Sequence, residues 1–341
     1  MTQASKKRRN GKAPAKASAT KTSATKASAT KVSAKPLAKA DEPGPPFFVT
    51  KEEELELRIA ASRGVVMNGT PTSLVIGQPT SFDDYVRQLM IPTRVLELAR
   101  KASAIRFSAW EAEAIRASIA PGDGLLRRIL ELKAAADDSH PPYIRVACTG
   151  NGDYDKLAAE YGYEVKAEPE SKHEGDFGSP VVLELWPAQH YSPMHSHGDT
   201  TGIIYSLFGQ IDVMAYANPL AWDAEKVALV TMTPGQCAWL DGDRFAVHKV
   251  FCPMDGGPRP VGPGNLLNDS SNYAATFHVY LNPDELPLVR AVPEPKPDTR
   301  DIFEYIDEKP PHELKKFDTY SDVSWRVLRK VMAGYADKIG M

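Results

Sequence analysis

Between Val181 and Leu281 the chain breaks into seven short runs, each rich in Val, Ile, Tyr, Phe or Thr and most bounded by Gly, Pro, Asp or Asn. They are Val181–Trp186, Gly202–Leu207, Gln210–Tyr216, Ala228–Thr233, Gln236–Leu240, Ala246–Phe251 and Ala275–Leu281. Runs this short make poor helices, and their branched and aromatic side chains suit a pleated surface. A series of short strands with turn formers between them favours an arrangement that leaves few open edges. The expected fold is therefore mainly β: an antiparallel β-barrel or jelly roll over roughly residues 179–285, with helices before it and one after it.

The flanking helices announce themselves by apolar spacing. Phe82, Tyr85, Val86 and Leu89 recur with helical period behind Ser81, a candidate N-cap. Further helices are expected over Ser108–Ile119, Leu125–Ala135, Lys156–Tyr161 and, at the end of a Pro- and charge-rich stretch, Val323–Ile339. The body of the domain is thus expected over 47–300, with 301–341 as an extension that ends in a helix. No apolar run reaches the ~18 residues that a membrane helix needs. Cys148, Cys237 and Cys252 form neither a C-x-x-C pair nor a disulfide framework, which fits a reducing, cytoplasmic setting.

The chemistry concentrates in Ser192-Pro193-Met194-His195-Ser196-His197. Residues i and i+2 of a strand share a face, so His195 and His197 can aim two imidazoles into one interior. His248, in the later run Ala246–Phe251, can supply a third. Three protein ligands leave positions open, as a catalytic rather than a structural metal site requires. Imidazole suits iron, copper, nickel and zinc alike, so the donor type alone does not name the metal.

Three motifs in order resemble those of the cysteine dioxygenases, a thiol dioxygenase family of the cupin superfamily. Trp186-x3-His190-x4-His195-x-His197 with Gly209 is similar to the first, and Gln236-Cys237-Ala238-Trp239 followed by His248 to the second. Thr276-Phe277-His278-Val279-Tyr280 resembles the family's Ser-x-His-x-Tyr element. The resemblance spans roughly residues 140–285 and implies a cupin-type barrel holding Fe(II) on His195, His197 and His248. It implies that Tyr280 is the active-site phenol, with His278 and Thr276 as a hydrogen-bonded relay behind it. It also implies that Arg145, in Tyr143-Ile144-Arg145, grips a substrate carboxylate, with Tyr143 beside it. The implied reaction is oxidation of a small carboxylate-bearing thiol by O2 to its sulfinic acid. A cupin dioxygenase for another small molecule, or a non-catalytic metal-binding cupin, stands as the alternative.

The chain departs from the family at three places. Gly202 stands where many cupins carry a glutamate ligand and where some members carry a cysteine crosslinked to the tyrosine, so Tyr280 is expected as a free phenol. Gln189 replaces a motif glycine, and Thr276 replaces the serine while keeping its hydroxyl. His190 is a candidate supporting partner of the ligands.

The first 46 residues hold 11 of the chain's 41 Lys and Arg but only 2 of its 44 Asp and Glu. They repeat with a period of five, KASAT, KTSAT, KASAT, KVSAK, and contain almost no large apolar side chain. Such a segment cannot offset the entropy lost on ordering, and is expected to be a disordered arm. Its charge leaves open a weak electrostatic contact with nucleic acid. For the folded body the expected partners are O2 and a small thiol, with no membrane, and the C-terminal helix is left to pack on the barrel or on a partner. A chain starting at Phe47 should melt at the same temperature as the full chain in differential scanning calorimetry; a large fall would make the arm structural.

Overall fold

The computed structural model describes residues 56–57, 66–70, 73–76, 93–136, 142–167, 181–198, 200–240, 242, 246–255, 267–281, 302–318 and 320–341. The basic arm and the helix expected at Phe82–Leu89 lie outside these residues. Eight strands lie between residues 181 and 281, the seven expected and β5 in addition: β4 (Val181–Pro187), β5 (His195–Ser196), β6 (Thr201–Phe208), β7 (Ile211–Tyr216), β8 (Lys226–Met232), β9 (Gln236–Leu240), β10 (Val247–Phe251) and β11 (Tyr273–Leu281). One sheet runs β4-β11-β6-β9 and the other β5-β10-β7-β8. Numbered within the eight, that is 1-8-3-6 facing 2-7-4-5, the strand order of a jelly roll. The antiparallel jelly roll expected from the sequence is the fold of the chain.

Both sheets are longer than the eight-strand core. The first gains β3 (Ile144–Ala147) and β14 (Val323–Ser324) at one edge, and β1 (Val66–Thr70) and β2 (Ser73–Ile76) at the other. The second gains β12 (Ile302–Ile306), paired with β5, and β13 (Leu314–Asp318). None of these edge strands carried a clear alternation in sequence, and three of them lie outside the 179–285 stretch on its C-terminal side.

Helices cover the outer face of the first sheet. They are α1 (Thr93–Ala102), α2 (Ala109–Ile119), α3 (Leu125–Ala135), the short α4 (Asp155–Glu160) and α5 (Trp325–Ile339). Ser108 and Glu111 close a reciprocal capping box at the start of α2, as the S-x-x-E pattern allows. Ser324 caps α5, which ends at Gly340 in the left-handed region. Ile115, Leu126, Ile129 and Leu328 from three helices meet Leu183, Leu185, Ile203 and Val279 from the sheet in one buried cluster. Each such side chain contributes about 1.5–3 kcal/mol on burial. The C-terminal helix therefore packs on the barrel, by way of Val327, Leu328, Val331 and Met332.

Pleat decides which residues face the barrel interior. In β11 the odd-numbered positions from Tyr273 to Leu281 join the helix-side cluster, so Thr276, His278 and Tyr280 point inward. In β10, Val247 and Phe251 pack on the outside of the second sheet, while Val250 faces inward with His248. Gln189, the residue in place of a motif glycine, has φ 64°, a left-handed conformation that favours glycine. Its amide donates to the Cys252 carbonyl (2.8 Å) and its side chain to that of Met254 (2.7 Å), which holds the turn against that strain.

Outward-facing Lys249 is fully buried against the loop between β12 and β13, where it pairs with Glu308. The Tyr191 hydroxyl donates to the same carboxylate (2.8 Å), and the Lys249 ammonium sits 4.2 Å from the Tyr191 ring centre. This pair pins the β12–β13 hairpin to β10. Replacing Glu308 by Ala should cost about 3–5 kcal/mol in urea unfolding, because it strands a buried cation. Pairing that change with Lys249→Met should recover much of the loss. A single-variant cost under about 1 kcal/mol would place the pair in contact with water.

Candidate metal centre

The β5–β10 ladder sets His248 directly opposite His195, and His197 follows just beyond the end of β5. One ligand nitrogen from each of His195, His197 and His248 lies within 4.8 Å of the other two. The His197 and His248 rings stack at 5.2 Å and 10°, while His195 tilts against both. The three histidines singled out in the sequence thus meet at one point inside the barrel.

The donor set fits a metal on grounds internal to the structure. Both ring nitrogens of His197 are buried and have no hydrogen-bond partner among the described residues, an arrangement that costs about 1–3 kcal/mol unless something else satisfies them. His195 Nδ1 donates to the Pro193 carbonyl (2.9 Å), which leaves Nε2 as the lone-pair donor. Burial first, and then the neighbouring imidazoles, hold His195 and His197 well below the ordinary histidine range. Both are therefore neutral at pH 7, the form that ligates. Gly202 faces Tyr280 across the β6–β11 ladder, so no carboxylate or thiol projects from that position. A Cβ on Gly202 would come within 2.8 Å of the Tyr280 ring and of the Val279 carbonyl, so the phenol occupies the space that a side chain there would need.

The other residues singled out from the sequence lie around the same cavity. Tyr143, Arg145, His278 and Tyr280 line it with His195 and His197, and Thr276 stands directly behind His278. Thr276 Oγ1 is 2.7 Å from His278 Nε2, and His278 Nδ1 is 3.0 Å from the Tyr280 hydroxyl. Burial, reinforced by the charge on Glu184, raises Tyr280 well above the usual phenol range and keeps it neutral. His190 Nδ1 donates to the Ala188 carbonyl (2.7 Å). Cys237 and Cys252 are buried; burial pushes the Cys252 thiol up to about 12, so it is an inert thiol at neutral pH.

Three contributors escaped the sequence reading. Glu184 sits directly opposite both Arg145 on β3 and Thr276 on β11. Its Oε1 lies 3.2 Å from Arg145 Nε, an ion pair without hydrogen-bond alignment at that nitrogen, and its Oε2 lies 3.0 Å from His278 Nε2. Burial would raise this acid, but His278 and then Arg145 outweigh it and hold it at about 2. Its signal was available: Glu184 is the one charge within Val-Val-Leu-Glu-Leu-Trp, at an inward position. Trp186, quoted only as a motif landmark, donates its indole N–H to Thr276 Oγ1 (2.8 Å) and stacks on Tyr143 at 4.1 Å. Phe303, on β12, lies edge-on to His197 at 4.2 Å and 5.8 Å from the Arg145 guanidinium. Nothing local marks Phe303, because its place depends on β12 pairing with β5.

No protein-family model matches the chain, and no curated protein matches it. Among solved structures it is similar to peruvianin-I of Thevetia peruviana at 10% identity, covering 29% of this chain and 48% of the other, with a TM-score of 0.20. It is similar to an oxalate decarboxylase mutant of Bacillus subtilis at 13% identity, covering 29% and 20%, with a TM-score of 0.19. The corresponding figures for a CENP-C cupin domain of Drosophila melanogaster are 9%, 30%, 57% and 0.21. The alignments span about half or less of the first and second of these proteins and somewhat more of the third. Such overlaps add nothing to the strand order, which by itself defines the fold.

Equilibrium dialysis against Zn(II) or anaerobic Fe(II) should give about one metal per chain. Because burial keeps His195 and His197 unprotonated, binding should stay nearly constant as pH falls from 7.5 to about 6, where free histidine begins to protonate. His197→Ala should remove it. Undiminished binding by that variant would place the metal elsewhere.

Proposed function

We propose that the chain is an Fe(II)-dependent dioxygenase of a small thiol that carries a carboxylate. The observation that supports this best is the composition of one cavity. Its walls combine neutral imidazoles, a buried guanidinium and a buried phenol, with aromatic rings between them. Held by His195, His197 and His248, ferrous iron would supply the one-electron chemistry that O2 needs to react with a closed-shell thiol. Both atoms of O2 end on sulfur, RSH + O2 giving RSO2H, so no external reductant is consumed.

The chain's own residues supply binding and exclusion. Arg145 is the cation of the cavity, its guanidinium lying 5.8 Å from the Phe303 ring centre and 5.0 Å from that of Tyr320. Burial opposes its charge, and Glu184 across the ladder sustains it. A substrate carboxylate meets a guanidinium that is already oriented on its Nε side, and a bidentate pair would add direction to charge. Tyr143, Trp186 and Phe303 wall off water. The cavity measures about 20 Å³, room for one water.

Oxygen uptake by the iron-loaded full chain tests the proposal against cysteine, 3-mercaptopropionate and cysteamine. The expected result is one O2 consumed per sulfinic acid formed, with kcat/KM on the carboxylate-bearing thiols exceeding that on cysteamine by at least about tenfold, the ratio for ~1.4 kcal/mol of charge-assisted binding. Equal rates on all three would remove the carboxylate from the substrate class. No uptake with any thiol, at full iron occupancy, would leave a metal-binding jelly roll with a different task.

A further inference from the structure

His278 has two neighbours at one nitrogen, and they ask for opposite things. Thr276 Oγ1 (2.7 Å) can accept or donate, whereas an ionised Glu184 Oε2 (3.0 Å) can only accept. If Thr276 governs, its hydroxyl donates to a bare Nε2, the imidazole proton sits on Nδ1, and the Tyr280 O–H is free for the cavity. If Glu184 governs, Nε2 carries the proton. A bare Nε2 at 3.0 Å from a carboxylate oxygen would set two lone pairs against each other in a buried site. Thr276 Oγ1 accepts from the Trp186 indole (2.8 Å) and keeps a second lone pair that can accept from a protonated Nε2.

We propose that Glu184 is a positioning residue that orders the relay: His278 is protonated on Nε2, toward Glu184, and Tyr280 donates its hydroxyl to His278 Nδ1. Arg145, 3.2 Å from the other carboxylate oxygen, keeps Glu184 anionic in this role. A metal cation on the nearby histidines would only strengthen its ionisation. The Tyr280 oxygen then meets a ligand with its lone pairs, and the matching ligand group is a donor: an amine, a hydroxyl or a water. The proton order stands whether or not the chain oxidises thiols; only the choice of a substrate amine rests on the proposed function.

Nitrogen-15 NMR of the full chain, labelled at histidine and loaded with diamagnetic Zn(II), reads the order directly. The expected spectrum at pH 7 has His278 as the Nε2–H tautomer, assigned by its loss in His278→Gln. The Nδ1–H tautomer, or a doubly protonated ring, overturns the proposal. In Glu184→Gln, which keeps the shape and removes the charge, the Nε2–H preference should fall by roughly tenfold, the ratio a charge-assisted hydrogen bond gives. An unchanged tautomer in that folded variant would remove Glu184 from the role. If the variant does not fold, the wild-type spectrum alone still decides the proton order. Since none of these readings involves turnover, they remain separate from any failure of the thiol reaction.

Discussion

The site depends on the register of antiparallel ladders in both sheets. In one, β10 lies beside β5 so that His248 faces His195. In the other, β11 lies between β4 and β6 so that Thr276 faces Glu184 and Tyr280 faces Gly202. Because side chains alternate with period two, a slip of one residue in any of these ladders would send the whole inward set to the outer face. The outer faces resist that slip. Ile203, Val279 and Leu281 are committed to the helix-side cluster, and Val247 and Phe251 to the cluster outside the second sheet. The apolar packing that stabilises the barrel is therefore also what aims the polar groups.

Charge is buried outside the second sheet and on the inner face of the first, with different consequences. Outside the second, Lys249 and Glu308 join a hairpin to the barrel wall. Inside, Arg145, Glu184 and His278 stand side by side on three adjacent strands of the first sheet, at ion-pair distances of 3.2 and 3.0 Å. Taking such groups from water costs several kcal/mol per ion, and their mutual attraction returns this only with good geometry. The ladders provide that geometry, since direct cross-strand neighbours stand about 4.5–5.5 Å apart at Cβ. The hairpin anchored by Lys249 is the one that presents Phe303 to His197, so the outer ion pair also shapes the inner cavity.

Much of this was legible from residues in order. Short runs of β-branched and aromatic residues between turn formers implied a two-sheet antiparallel barrel, because local propensity and period two are properties of neighbouring residues. The same alternation placed His195 and His197 on one face, the family resemblance made His278 and Tyr280 companions, and apolar spacing placed α2 from Ser108 on. The left-handed turn at Gln189 and the close approach at Gly202 explain why these two positions stood out against the motif.

What only the folded chain decided involves partners far apart in sequence. Phe303 reaches the cavity because β12 adds to β5 across more than a hundred residues, a pairing that no local pattern announces. Glu184 meets Arg145 because β3 docks on β4, and it reaches His278 because β11 docks on the other side; as a lone charge in an apolar strand it signalled only that something unusual faced inward. Lys249 reads as an ordinary exposed strand position until the β12–β13 loop closes over it. Residue type and spacing determined which atoms could do chemistry and which face of a strand they would share. Tertiary pairing determined which charges became neighbours, because inside the barrel a buried group's protonation and direction are set by whatever the next strand brings within about 3 Å.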